Sequence, residues 1–182
     1  MLAPDRMVHV RRATESDARG IAVLHARSES HALELTRGRT RTPTPPIEQG
    51  EFIWACNLRA TSGDHRPWIA WTGDRTVGFV TAGPSRDNDA GTATGELYVF
   101  DLEMGEGFGS TASALLEHAC ADLARHGFAE VTTWVHARDV RLRELLLAAG
   151  WLQDRSRRLD HIHGVAVLEL RYRHALAPGN YS

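Results

Sequence analysis

Apolar positions in this chain recur with two periods, in short alternating or continuous runs and in longer stretches at helical spacing. Met7–Arg12 (MVHVRR) alternates and reads as a first strand. Thr14 then supplies a helix cap, with Glu15 and Asp17 in the first turn, before Ala18, Ile21 and Ala22 recur at helical spacing. Thr36–Pro46, rich in arginine, threonine and proline, reads as a loop, and Ile47–Leu58 as a second helix offering Ile47, Phe52, Ile53 and Ala55 for burial. Pro67–Thr72 (PWIAWT) and Thr76–Ala82 (TVGFVTA) flank Gly73-Asp74-Arg75 as a hairpin. A polar loop, Gly83–Gly95, leads to the strand Gly95–Phe100 (GELYVF) and a glycine-rich turn. Ala112, Leu115, Leu116, Ala119 and Leu123 mark a long helix that Gly127 stops. Glu130–His136 is a strand and Val140–Ala149 a helix ended by Gly150; strands near Ser156–Ile162 and Val165–Arg173 form a hairpin about Gly164. This order predicts one α/β domain over 1–182, with its core at about 8–173 and a loose tail at 177–182.

Composition narrows the classes of function. The chain of 182 residues, 42% hydrophobic and 24% charged, can bury a sizeable core. No apolar run approaches the roughly 18–20 residues of a membrane span, and the N-terminus lacks the apolar centre of a signal peptide. The formal charge is −2, without the basic surplus that phosphate backbones attract, so nucleic acid is not an expected partner. There is no lysine, which excludes a lysine Schiff base or a P-loop lysine. Cys56 and Cys120 are too few for a disulfide framework and have no neighbours at metal-ligand spacing, so a reducing cytoplasm and no metal are expected.

The chemistry concentrates where Gly95–Phe100 runs into Met104-Gly-Glu-Gly-Phe-Gly109 and the next helix. Glycines let backbone approach a ligand closely, and first-turn amides with the helix dipole favour an anion. The turn lies past mid-chain, after several strands, so it is not the dinucleotide fingerprint that follows a first strand. We read it as an anion site that favours a phosphate ligand.

With this turn the chain resembles the GNAT superfamily of N-acetyltransferases over roughly Val8 to Tyr172. The order of elements agrees. Met104–Gly109 occupies the place of that family's [Gln/Arg]-x-x-G-x-[Gly/Ala] turn, and Leu145–Trp151 (LLLAAGW) that of a short helix ending in Gly-[Phe/Trp]. The resemblance implies an α/β (α+β) fold: a mixed, mostly antiparallel sheet of six to seven strands, about four helices, and splayed fourth and fifth strands. It implies acetyl-CoA as cosubstrate in that splay, its diphosphate on the amides of Gly105, Glu106, Gly107, Phe108, Gly109 and Ser110, the tail along Leu97, Tyr98 and Val99, and the acetyl carbonyl near the Val99 amide. A substrate amine would then attack directly, and a small-molecule acceptor is expected.

Four positions depart from the pattern. Met104 replaces the usual Gln or Arg, Glu106 puts a carboxylate in the turn, and Leu146 stands where a thiolate-protonating tyrosine is frequent; Asp139 takes the place of a frequent Asn. Glu96 is the first candidate for the base that deprotonates the amine, His136 the second, and Tyr98 a proton donor. Arg138, Arg141 and Arg143, and less so Arg37, Arg39 and Arg41, could meet CoA phosphates. His161 and His163 read as a surface pair at a hairpin end, and Trp54 and Phe52 as sheet packing or an acceptor pocket. The terminal hairpin offers an edge for a homodimer. Two other classes stay open: a non-catalytic acyl-CoA-binding regulator, and an interaction module whose cleft has decayed.

Overall fold

A computed structural model describes residues 7–38, 45–60 and 65–177. Arg39, Arg41 and the tail from Pro178 lie outside the described residues. The strands are β1 (His9–Arg12), β2 (Arg66–Thr72), β3 (Arg75–Pro84), β4 (Thr94–Leu102), β5 (Glu130–His136), β6 (Leu152–Ile162) and β7 (Val165–Ala175). The helices are α1 (Ala18–Arg37), α2 (Ile47–Arg59), α3 (Phe108–Arg125) and α4 (Val140–Ala148), with a short 3-10 turn at Glu15–Asp17 before α1. One sheet in the order β1-β2-β3-β4-β5-β7-β6 carries them, antiparallel except for the parallel pair β4–β5. This is the mixed, mostly antiparallel α/β architecture expected.

The continuous apolar runs of β2 and β3 follow from burial of both faces of the sheet. Ile69 and Phe79 pack with Ile21, Leu24 and Leu58 of α1 and α2. Ala70, Val80 and Ala82 pack with Ala112, Leu115, Leu116 and Ala119 of α3, in a larger core that takes in Leu146 of α4.

Helix α1 takes in Thr36 and Arg37, the first two residues of the expected loop. Ser30 and Thr36 donate their hydroxyls to the carbonyls of Ala26 and Ala32, so these residues stay within the helix rather than ending it. The helix stops at Gly38, whose φ of 79° is in the left-handed region and whose amide reaches Glu34 O. Strand β6 also starts earlier than expected, at Leu152.

Two buried ionic clusters tie the edges down. Asp122 of α3, 2% exposed, meets Arg12 of β1 at 2.6 Å and Arg125 at 3.2 Å, with Arg66 of β2 at 3.8 Å. Arg171 of β7 holds Asp87 and Asp89 at 3.0 and 2.6 Å and Asp154 of β6 at 2.7 Å, and Trp134 Nε1 donates to Asp87. The polar segment between β3 and β4 is thereby anchored to the far side of the sheet, next to the β4–β5 junction.

Candidate active site

The parallel pairing of β4 and β5 stops early. Thr94, Gly95, Glu96 and Leu97 pair with Glu130, Val131, Thr132 and Thr133, but β4 runs on to Leu102 and β5 to His136. Over the same length β5 stays paired to β7, from Glu130↔Ala175 to His136↔Glu169. Opposite β3, Thr81 aligns with Val99 and Ala82 with Leu97, so Tyr98 is the extra residue of a β-bulge. The two strands part after Leu97 and Thr133, the last residues that β4 and β5 pair with each other. A cleft of about 330 Å³ occupies the gap, lined by Tyr98, Val99, Phe100, Trp134, Val135, His136, Asp139 and Leu142 and closed by His25, Ser28 and His31 of α1.

A smaller cleft of about 210 Å³ continues past Phe100, Asp139 and Leu142 to Met104 and Phe108. Here the glycine turn enters α3. Gly107 is the N-cap residue, at a φ of 82° that disfavours any side chain, and its carbonyl accepts from Thr111 N at 2.9 Å and from the Ser110 hydroxyl at 3.0 Å. Phe108 is buried and anchors the turn, whereas Gly105, Glu106, Gly107, Gly109 and Ser110 are exposed. A Cβ on Gly109 would meet nothing within 4 Å. Arg141 of α4 reaches across the turn, donating to Gly105 O at 3.1 Å with its guanidinium 4.3 Å from the Phe108 ring. First-turn amides, the helix dipole and one guanidinium therefore converge on open space.

Of the three nearby arginines, only Arg141 takes that position. Arg138 donates to the carbonyls of Leu35 and Thr36 at the end of α1, and Arg143 to Tyr172 Oη and Ala137 O. Asp139 caps α4 by accepting from Leu142 N at 3.0 Å and lines both clefts.

The expected edge needs a correction at Leu97, which is paired with Thr133 in the last β4–β5 pair. Glu96 also lies below the splay, paired with Thr132, because the parallel register runs one residue past it. Its carboxylate is 4% exposed, accepts from Arg86 N at 2.8 Å and Ser85 Oγ at 3.3 Å, and lines neither cleft. Tyr98 donates its hydroxyl to Pro84 O, under the Arg86 guanidinium at 3.7 Å.

His136 faces the gap with both nitrogens engaged. Nδ1 accepts from Arg138 N at 3.0 Å, so Nε2 carries the proton and donates to Thr36 Oγ1 at 2.8 Å. Burial lowers its pKa; Arg138 and His31 push the same way, and Asp139 opposes them. Leu146 is fully buried and offers no proton. Burial pushes the Cys120 thiol up to about 12.

A third cavity, about 370 Å³, opens on the α1–α2 side and touches the gap at Val99. Ala22, Ala26, Pro46, Ile47, Ile53 and Trp54 make it apolar, and His25, Glu29 and His163 make one end polar. Trp54 packs edge-on to Phe79 and also lines this cavity, while Phe52 points to solvent, 67% exposed. His163 lies in the β6–β7 turn rather than on the strand, at a φ of 48°, and its Nε2 meets Glu29 Oε2 at 3.1 Å. His25, Glu29 and Asp101 went unnoticed in the sequence. The available signal was His25 and Glu29 at i, i+4 spacing, which sets two titratable groups on one helix face.

No protein-family model matches the chain, and no curated protein sequence matches it. Solved structures do. A phosphinothricin acetyltransferase of the GNAT superfamily from Sinorhizobium meliloti, in complex with acetyl-CoA, superposes with a TM-score of 0.69 at 19% identity, covering 96% of this chain and 91% of that one. An N-acetyltransferase from Staphylococcus aureus Mu50 gives 0.69 at 15% identity, covering 94% and 99%. A ribosomal-protein-alanine N-acetyltransferase from Brucella melitensis gives 0.66 at 19%, covering 92% and 99%. The chain has the fold of the GNAT superfamily, a fold that acetyltransferases with both small-molecule and protein acceptors use.

Proposed function

We propose that this protein is an N-acetyltransferase moving the acetyl group of acetyl-CoA to the amine of a small molecule. The observation that carries the reading is the parting of β4 from β5 after Leu97 and Thr133, which opens a cleft that leads to the Gly105–Ser110 turn. An extended tail with amide groups and a diphosphate at its end fits that succession. When bound, acetyl-CoA would supply an activated acetyl thioester. The amides of the turn, with Arg141, would hold the diphosphate. The β4 edge about Tyr98 and Val99 would pair with the tail, and the Val99 amide would polarise the acetyl carbonyl. Met104, Phe108, Asp139 and Leu142 would wall the path. Glu106 is exposed and so can turn from the diphosphate into solvent.

Direct attack by the amine suits the groups present. The Cys120 thiol is held protonated, and the Ser110 hydroxyl is spent on Gly107 O, so neither is poised as a nucleophile. The acceptor would enter from the apolar cavity beside Val99. Two free thiols suit a reducing cytoplasm, and the outer edge of β6, with Leu159 65% exposed, suits a homodimer. Among the described residues no helix is long and apolar enough to cross a membrane, and no cluster of three or more side chains could hold a metal ion.

Isothermal titration with CoA and acetyl-CoA, then thiol release over an amine panel read by mass spectrometry, tests the reading. Leu146, buried where a tyrosine would serve as acid, favours a second reading as a non-catalytic acyl-CoA sensor; binding without turnover would select it. No binding at all would leave an interaction module.

A further inference from the structure

Asp101 fixes the state of His25. The side chain of Asp101, 8% exposed, sits 2.7 Å from His25 Nδ1. An ionised carboxylate only accepts, so Nδ1 carries a proton and the basic lone pair of the neutral ring is on Nε2. Trp54 holds the ring edge-on, with centroids 5.3 Å apart at 85°. His25 lines both the β4–β5 gap and the apolar cavity, and Val99 is common to the two. Glu29 Oε1 lies 3.6 Å from Nε2, too far for a hydrogen bond, and its other oxygen is engaged by His163.

We propose that His25 Nε2 is the proton acceptor for the acceptor amine, with Glu29 drawing in the ammonium and the cavity taking a primary amine with an apolar body. The proposal rests on the acetyltransferase reading. In the step assigned, the ammonium N–H bond breaks, its proton bonds to Nε2, and its electron pair stays on the amine nitrogen as the attacking lone pair. Imidazole becomes imidazolium, and Asp101 on Nδ1–H stabilises the new charge. The charged or titratable groups facing His25 are Asp101 from β4, Glu29 on its own helix and His163 from the β6–β7 turn; Asp160, His161 and Glu169 line the gap further out. Burial alone would lower the His25 pKa, but the hydrogen bond and charge of Asp101, with Glu29, outweigh it and the pKa is raised. That makes Nε2 a stronger base than an ordinary histidine.

The probe is phenethylamine, with CoA affinity measured in parallel on every variant. In wild-type protein, kcat/KM rises with pH through the pKa of a histidine above the ordinary value. His25→Asn removes that limb and lowers kcat/KM roughly 10²- to 10⁴-fold. Asp101→Asn keeps the imidazole but removes its anion, so the limb moves to lower pH and the plateau falls. Independently of turnover, ¹⁵N NMR of the imidazole shows Nδ1–H and a raised pKa for His25, which Asp101→Asn lowers. Glu29→Gln weakens phenethylamine binding to the CoA-loaded protein roughly tenfold. An unshifted pH limb in Asp101→Asn, an Nε2–H tautomer, or no binding or turnover of phenethylamine by CoA-loaded wild type would each overturn the proposal. Wild-type protein that fails to bind CoA would instead sink the acetyltransferase reading.

Discussion

Replacing Gly109 with glutamate separates the fold from the anion site. Gly109 is the second residue of α3, its φ lies outside the left-handed region, and an added Cβ meets nothing within 4 Å. Removing glycine from a helix stabilises it by about 0.5–1 kcal/mol, and a carboxylate in the first turn adds about 0.3–1 kcal/mol through the dipole. The variant should therefore melt at or above the wild-type temperature. Its carboxylate would, however, stand over the turn that receives the diphosphate. At 4 Å two like charges repel by about 1 kcal/mol in a water-like medium and about 4 kcal/mol near a protein surface. With a tenfold change per about 1.4 kcal/mol, CoA affinity should fall roughly 5- to 10³-fold. Gly107→Glu is the poorer test, since its φ of 82° adds a backbone cost of about 1–2 kcal/mol to any charge effect. Titration calorimetry with CoA on wild type, Gly109→Ala and Gly109→Glu, beside melting curves, gives the answer. Gly109→Ala adds only a methyl group and should stay within a few-fold of wild type, and raising the salt should narrow the gap for Gly109→Glu. A glutamate variant that folds and binds CoA as wild type does would refute the placement of the diphosphate on this turn.

Arg141→Gln should weaken CoA binding about tenfold and flatten its salt dependence, leaving the melting temperature near wild type; an unchanged salt slope would remove Arg141 from the site. Asp122→Ala takes the anion from beside Arg66, Arg12 and Arg125; the latter two can turn to solvent, so the loss should sit near the lower end of the 3–5 kcal/mol scale, about 3 kcal/mol. Thermal melting should show a drop of roughly 6–12 °C, and a shift under 2 °C would mark the cluster as dispensable. Iodoacetamide should label exposed Cys56 in the native protein and spare Cys120, whose thiol is shifted to about 12, so peptide mapping that finds Cys120 alkylated first would contradict its burial. The lowered pKa of His136 means the unfolded chain binds the extra proton first. Its contribution to stability is whole above the unfolded value near 6.5 and is lost as pH falls through the folded one. The urea midpoint gap between wild type and His136→Asn should thus shrink from pH 7.5 to pH 5.5, and a constant gap would show that His136 does not titrate differently on folding.

The sequence pattern located the elements well wherever burial imposed a period. Glu130–His136 is bounded as the apolar run indicated, and β2 and β3 stand where their hairpin signal put them. Helix α1 ran two residues into the expected loop because Thr36 satisfies its hydroxyl inside the helix, a choice composition alone cannot reveal. The glycine turn was legible because strand, glycines and helix are contiguous. The rest of the site was not, because it is assembled across the chain. His25 and Asp101 are 76 positions apart, and Arg141 and the Gly105 carbonyl 36. Placing Glu96 beside the gap required the β4–β5 register, and no local signal states after which residue a parallel pair parts.

That parting is what makes a site out of an ordinary sheet. An unpaired strand edge inside a domain wastes hydrogen bonds, so something must keep it from closing. Here two restraints act from opposite sides. Strand β5 is held along its whole length by β7, which leaves it no freedom to follow β4 past Thr133. Strand β4 is turned by the bulge at Tyr98, whose hydroxyl is fastened to Pro84 of β3, and is fixed beyond the bulge by Asp101 against His25 of α1. Helix α1 then covers the gap from one face while Asp139 and Leu142 of α4 wall it at the far end. The β5-facing side of β4 beyond Tyr98 is thus held in line by β3 but not paired with β5, which is the condition under which an extended ligand gains most from pairing with it. The same contact that pins β4, the one between Asp101 and His25, also sets a basic nitrogen where the gap meets the apolar cavity. Scaffold and chemistry therefore share a bond, and a change at Asp101 should disturb both the opening of the gap and the proton affinity of the histidine beside it.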